Sequence, residues 1–254
     1  MTYIYNGTFD GFLTVIFDIY ASKCKPVQIL SERQWQPVFF ETPVHIATDA
    51  AKSERVWNGI AKRSNKRITR MFYLAFASEL PDIEMTLYGY LEKLFADASG
   101  TYYKNLLDDH SFELYRVSRK VSLEIHRFQG FVRFQETSDG LFFAVIEPDH
   151  DIVSMLAPHF ARRYGNQSWV IYDRRRDKGI FYEKFQIHEM TLTDQQFDVI
   201  TGEIYQQVKS EDEDLYQRLW KAYYKAINIP ERKNTRLMLR LLPRRYWKYL
   251  PEKQ

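Results

Sequence analysis

A chain of 254 residues with 45% apolar side chains can close one substantial core or two small ones, and its single cysteine, Cys24, excludes an internal disulfide and any cysteine-rich zinc site. Apolar runs such as the six residues Leu141 to Ile146 are far too short to cross a bilayer, so no membrane association is expected. Net charge is only +3, but it is segregated: Lys52 to Arg70 carries seven cations against one acid, the last 24 residues carry eight against two, and Glu211-Asp212-Glu213-Asp214 forms an acidic block. Segregation of this kind suits an anionic partner, because local field rather than net charge steers encounter. Solvated helix faces are the plainer reading of any one cluster.

Met1-Thr2-Tyr3-Ile4-Tyr5 has no basic segment leading into an apolar stretch, so no signal peptide is read and a cytoplasmic location is expected. Tyr3-Ile4-Tyr5 reads as a short strand and Asn6-Gly7-Thr8 as a turn, with Thr8 or Asp10 capping a helix whose stripe is Phe12, Val15, Ile16 and Ile19. Pro26 ends that element, and residues 37–42 read as strand-like. Asp49 to Asp97 reads as consecutive helices, the clearest starting at Asp82 with Ile83, Leu87, Tyr90, Leu91 and Leu94 on one side. A further helix is expected from about Asp108 to His126, with the stripe Leu114, Val117, Val121 and Ile125.

The period then changes. Phe128 to Gln135 and Leu141 to Ile146 read as strands turning at Asp139-Gly140, the second of them covered on both faces. Asp149 or Asp151 is expected to cap a helix reaching about Tyr164. A second hairpin pairs Trp169–Arg174 with Gly179–Phe185 across Arg175-Arg176-Asp177-Lys178. Leu215, Leu219, Tyr223 and Ile227 form a helical stripe, Pro230 breaks it, and a basic helix from Glu231 to about Leu242 leads to a basic, aromatic tail. The expected class is α+β: an antiparallel sheet arranged hairpin–helix–hairpin, covered by N-terminal and C-terminal helices. The expected organisation is a single unit with a mainly helical stretch over 1–107, a sheet-containing one over 108–190 and a helical one over 191–254.

Chemistry concentrates in three places. His150 and Asp151 precede the central helix, and His159 and Arg163 lie along its inward stripe, so the four can surround a polar pocket. The alternative is a core histidine with Arg163 lying along the edge. A metal site from His150, Asp151 and His159 is a weaker reading, since eight or nine residues are two helical turns or more. No metal and no cofactor is expected. Arg174, Arg175, Arg176 and Lys178 crowd the second hairpin tip, suited to phosphate contact or to edge protection. In the tail, Arg236, Arg240, Arg244, Arg245 and Lys248 surround Tyr246, Trp247 and Tyr249, offering charge and stacking faces to unpaired bases unless the rings pack inward. Gly-rich phosphate loops, nucleophile elbows and His-Glu-x-x-His patterns are absent from the sequence.

Tyr5-Asn6-Gly7-Thr8-Phe9-Asp10-Gly11-Phe12-Leu13, Ile146-Glu147-Pro148-Asp149-His150-Asp151, Leu156-Ala157-Pro158-His159-Phe160-Ala161-Arg162-Arg163, Trp169-Val170-Ile171-Tyr172-Asp173-Arg174 and Pro243-Arg244-Arg245-Tyr246-Trp247-Lys248 occur in this order. Together they resemble a bacterial family of DNA-metabolism and DNA-repair proteins. Its domain also occurs fused to uracil-DNA glycosylase-type domains, and stand-alone members accompany a radical SAM DNA-modification or repair protein. The resemblance implies an accessory role beside such an enzyme. With one cysteine this chain lacks the three-cysteine cluster motif, so it would be the partner of the radical SAM protein. DNA contact, docking to the partner without DNA, and an enzymatic His/Asp/Arg pocket all stand as expectations.

Overall fold

The opening strand is β1 (Thr2–Tyr5), buried along its whole length because a parallel neighbour pairs on each side: β2 (Gln28–Ser31) and β3 (Val44–His45). Parallel strands need a crossover, and α1 (Phe9–Ser22) supplies it between β1 and β2. Thr8 is the cap: its hydroxyl accepts the Gly11 amide at 3.0 Å. Phe12, Val15, Ile16 and Ile19 form the buried face that their spacing predicts. The computed structural model describes all residues except 38–41, 193–196, 199–200, 228, 233 and 254. The strand expected over 37–42 therefore lies, at 38–41, outside the described residues.

The consecutive helices are α2 (Ala50–Arg63), α3 (Lys66–Phe76) and α4 (Ile83–Ala96). Asp49 caps α2 and Asn65 caps α3 through side-chain bonds to backbone amides, satisfying donors that have no partner inside the helix. Phe12, Phe72, Leu87 and Leu91 meet in one core and are inaccessible to solvent. These elements, with the start of α5 (Asp109–Phe131), make up a first compact unit, Met1–Ser122.

The second unit, Leu123–Gln254, is built on a five-stranded sheet in the order β4 (Gln135–Glu136), β5 (Phe142–Ile146), β6 (Trp169–Asp173), β7 (Lys178–Glu183), β8 (Gln186–Met190). The α+β class holds, and both hairpins form. The central helix α6 (Val153–Arg163) joins β5 to β6 as a crossover, so these inner strands pair in parallel and the sheet is mixed.

Three expectations change. The first hairpin strand is only two residues long, because α5 continues to Phe131. Phe128 extends the Val121–Ile125 stripe and packs edge-on against Tyr246 at 5.0 Å, so helical packing prevails over the local alternation. Neither Asp149 nor Asp151 caps α6, whose preceding residue is Ile152 without a side-chain cap; each aspartate pairs with a cation instead. Strand β8 was not anticipated.

Downstream, α7 (Glu213–Ala226), α8 (Thr235–Leu241) and a 3-10 segment (Arg244–Tyr249) complete the unit. The α7 stripe of Leu215, Leu219, Tyr223 and Ile227 is 44–56% exposed. Among the described residues no helix is long and apolar enough to cross a membrane.

Candidate functional site

Parallel pairing of β5 with β6, in the register Ile146↔Asp173, sends the carboxyl ends of both strands to one edge, where sheets with crossover helices form crevices. The loop after β5 (Glu147–Asp151) and the turn after β6 (Arg174–Asp177) meet there, and the Arg174 amide donates to the Ile146 carbonyl at 3.1 Å. Arg176 fastens the two. Its guanidinium donates to Asp173 at 2.7 Å and to the Pro148 and Asp149 carbonyls at 3.2 and 3.0 Å. Asp173 is fully buried. Burial pushes its carboxyl above its ordinary value, opposed by Arg176 and by the Arg175 and Arg176 amides. Arg176 is thus an internal clamp, and the expectation that it serves phosphate contact or edge protection at the hairpin tip is corrected: a charge this deep is held by its carboxylate.

The tail completes the site. Arg175, Arg244, Arg245 and Lys248 line a cleft of about 480 Å³ with Glu147, Pro148 and Asp149. Arg245 pairs with Asp149 at 2.6 Å. Lys248, Tyr249 and Arg174 converge on Glu147, the last two at 2.7 and 3.3 Å. Burial raises the Glu147 carboxyl, but hydrogen bonds from Lys248 and Tyr249 outweigh it and hold the group below its ordinary value. Arg244 and Arg175 have no carboxylate partner among the described residues. Arg244 lies over the Trp247 ring at 5.9 Å, and Arg175 donates to the Asp149 carbonyl. Among the described residues the lining holds four cations and two carboxylates, an excess of two positive charges.

The other expected contacts disperse. Lys178 pairs with Asp151 at 2.6 Å, and Arg240 is exposed on α8; neither lines the cleft. The tail rings are not stacking faces: Tyr246 is 2% exposed, and Trp247 donates its indole N–H to the Leu242 carbonyl between the cations of Arg244 and Lys253. Rings of this size bury when a partner for the polar end is within reach.

For Tyr246 that partner is Glu124, a residue sequence reasoning missed. Glu124 is 3% exposed, accepts the Tyr246 hydroxyl at 2.5 Å and takes the Asp149 and His150 amides at 2.8 and 2.9 Å. It positions both the tail and the loop. Its signal was a carboxylate placed on the apolar stripe between Val121 and Ile125.

His150, Asp151, His159 and Arg163 do not form one pocket. Arg163 is exposed rather than inward, lies over the Tyr164 ring at 5.6 Å and lines a second, larger cavity that none of the other three reaches. His159 is half-buried; burial first, then Arg163 and Arg162, lower its pKa and favour neutral imidazole. Among the described residues no group of three or more His, Cys, Asp and Glu side chains is placed to hold a metal ion.

A family model matches residues 81–252, under the description domain of unknown function DUF4130. No curated protein and no solved structure matches the chain.

Proposed function

The chain belongs to the DUF4130 family, and from that premise we propose that it is an accessory protein of DNA metabolism or repair that holds DNA phosphates in the cleft of Arg175, Arg244, Arg245 and Lys248 while a radical SAM-type or glycosylase-type enzyme acts. The carrying observation is that cations distant in sequence converge on one cleft whose described lining holds four cations and two carboxylates. Glu147 and Asp149 fix the geometry of Lys248 and Arg245, while Arg175 and Arg244 keep open donors for an anion. Arginine presents a planar fork that matches phosphate oxygens. The ordered motifs that resemble DNA-metabolism proteins, several of which build this cleft, support the same reading.

The test is anisotropy of labelled single- and double-stranded oligonucleotides at about 50 and about 200 mM salt. Binding at low salt that weakens steeply at high salt is the expected result. No detectable binding of either strand form at low salt sinks the reading. A second reading, docking to the partner enzyme without DNA, is favoured by one observation, the exposed apolar stripe of α7. Co-purification of the two proteins after nuclease treatment, with no DNA affinity in either, would select it.

A further inference from the structure

The larger cavity in the second unit, of about 640 Å³, lies in the size range of small-molecule sites. Its frame is locked internally. Gln135 bonds the Gly202 carbonyl and the Ile204 amide at 2.9 and 3.1 Å, and Arg133 and the Trp220 indole both bond Glu252, at 2.8 and 2.9 Å. Three lining groups are not so engaged. The Trp169 indole Nε1 is wholly buried and has no hydrogen-bond partner among the described residues. The side-chain amides of Gln129 and Gln167 likewise make no protein hydrogen bond among those residues. A buried N–H left in this state costs stability unless something accepts from it.

The Trp169 ring is enclosed by aromatic neighbours. Tyr182 is stacked on its ring at 5.0 Å, and Phe160 and Phe134 pack around it at 6.1 and 6.2 Å. Partly exposed rings come from Tyr216 and Trp220, 54% and 37% exposed, with the Arg133 guanidinium over the Trp220 ring at 5.2 Å. A planar ligand that stacks on those rings and carries acceptors and donors on its rim satisfies all three groups. The cavity also adjoins the cationic cleft through one side chain: Tyr249 lines the cavity, and its hydroxyl donates to Glu147, which lines the cleft.

We infer that this cavity binds a nucleobase, with Trp169 Nε1–H donating to a base acceptor, Gln129 and Gln167 reading the rim, and the attached phosphate directed to the neighbouring cleft. The phosphate half rests on the DNA reading above; base recognition in the cavity does not. Base and phosphate then lie on either side of Tyr249, in the manner of a nucleotide turned out of its strand.

The test follows the indole ¹⁵N–H signal of Trp169 in the full chain, assigned by single Trp→Phe substitutions. The ligands are the four deoxynucleoside 5′-monophosphates, deoxyribose 5-phosphate and a single-stranded oligodeoxynucleotide, with oligonucleotide anisotropy read in parallel. A saturable shift of Trp169 by at least one base-bearing ligand and not by deoxyribose 5-phosphate is expected. Mononucleotide and oligonucleotide arms separate a free nucleotide from a base presented by DNA. Trp169→Phe should weaken binding about tenfold and Gln167→Ala, at an exposed position, a few-fold. An unmoved Trp169 signal with every ligand, an equal shift by the base-free sugar phosphate, or wild-type affinity in both variants overturns the inference. DNA binding without a Trp169 shift overturns base recognition and leaves the phosphate cleft standing; a mononucleotide shift without DNA binding does the reverse.

Discussion

Arg175 and Arg176 are adjacent arginines with opposite roles, one exposed on a cleft and the other enclosed against Asp173. Arg176→Ala should therefore lower unfolding free energy by about 3 kcal/mol, since it strands a buried carboxylate, whereas Arg175→Ala should leave the urea midpoint within experimental scatter. Equal midpoints for the two variants would contradict the assignment. Sequence alone could not separate them, because a run of three arginines has no period to show which one turns inward. Glu124 was better marked, as a charge on an apolar helical stripe. A pH signature comes from Glu84, 4% exposed and hydrogen-bonded by the Tyr5 hydroxyl at 2.9 Å. Burial raises its folded pKa above the ordinary value. The stability it lends is thus complete below the ordinary carboxylate pKa and lost as pH rises through the raised folded value. Glu84→Gln should be more stable than wild type at pH 7, with the gain shrinking toward pH 4; a gain independent of pH would contradict this. Glu147 has the opposite sign, its contribution present at neutral pH and lost as pH falls through its lowered folded value.

At the scale of elements, long stripes were legible and short or strained pieces were not. α1, α4 and α6 follow apolar spacing closely, and Asp139-Gly140 marked its turn through a glycine at φ +78°. β8 was unreadable because the two residues turning β7 into it, Lys184 and Phe185, hold φ of +48° and +67°, a conformation that sequence signals assign to Asn or Gly. Replacing them with Asn-Gly should raise stability by roughly 1 kcal/mol or more by relieving left-handed strain, measured by thermal or urea unfolding; a loss would show that Phe185 has a packing role. β2 and β3 escaped notice because strands of four and two residues carry too little pattern. The α7 stripe was visible, but its exposure was not, since periodicity reports a face and not what covers it. Leu219→Glu with Tyr223→Glu should leave the melting temperature unchanged and abolish co-purification with a partner enzyme. A large drop in melting temperature would place the stripe in the fold instead.

For the molecule as a whole, the chain divides into two compact units, and the family match covers residues 81–252, including the cleft and the cavity of the second. The candidate site was half legible. The tail and turn cations were visible as charge runs, and their meeting depends on the parallel β5–β6 register that no local pattern displays. Of the pairing carboxylates, Asp149 was read as a cap and Glu147 was given no pairing role, so the net charge of the cleft emerged only from the fold. The decisive measurement is the slope of log affinity for DNA against log salt, in wild type and in Arg175→Ala/Arg244→Ala. Loss of about one to two phosphate contacts should reduce the slope by about that number with no change in melting temperature. An identical slope in the two proteins would contradict the cleft as the place where DNA is held.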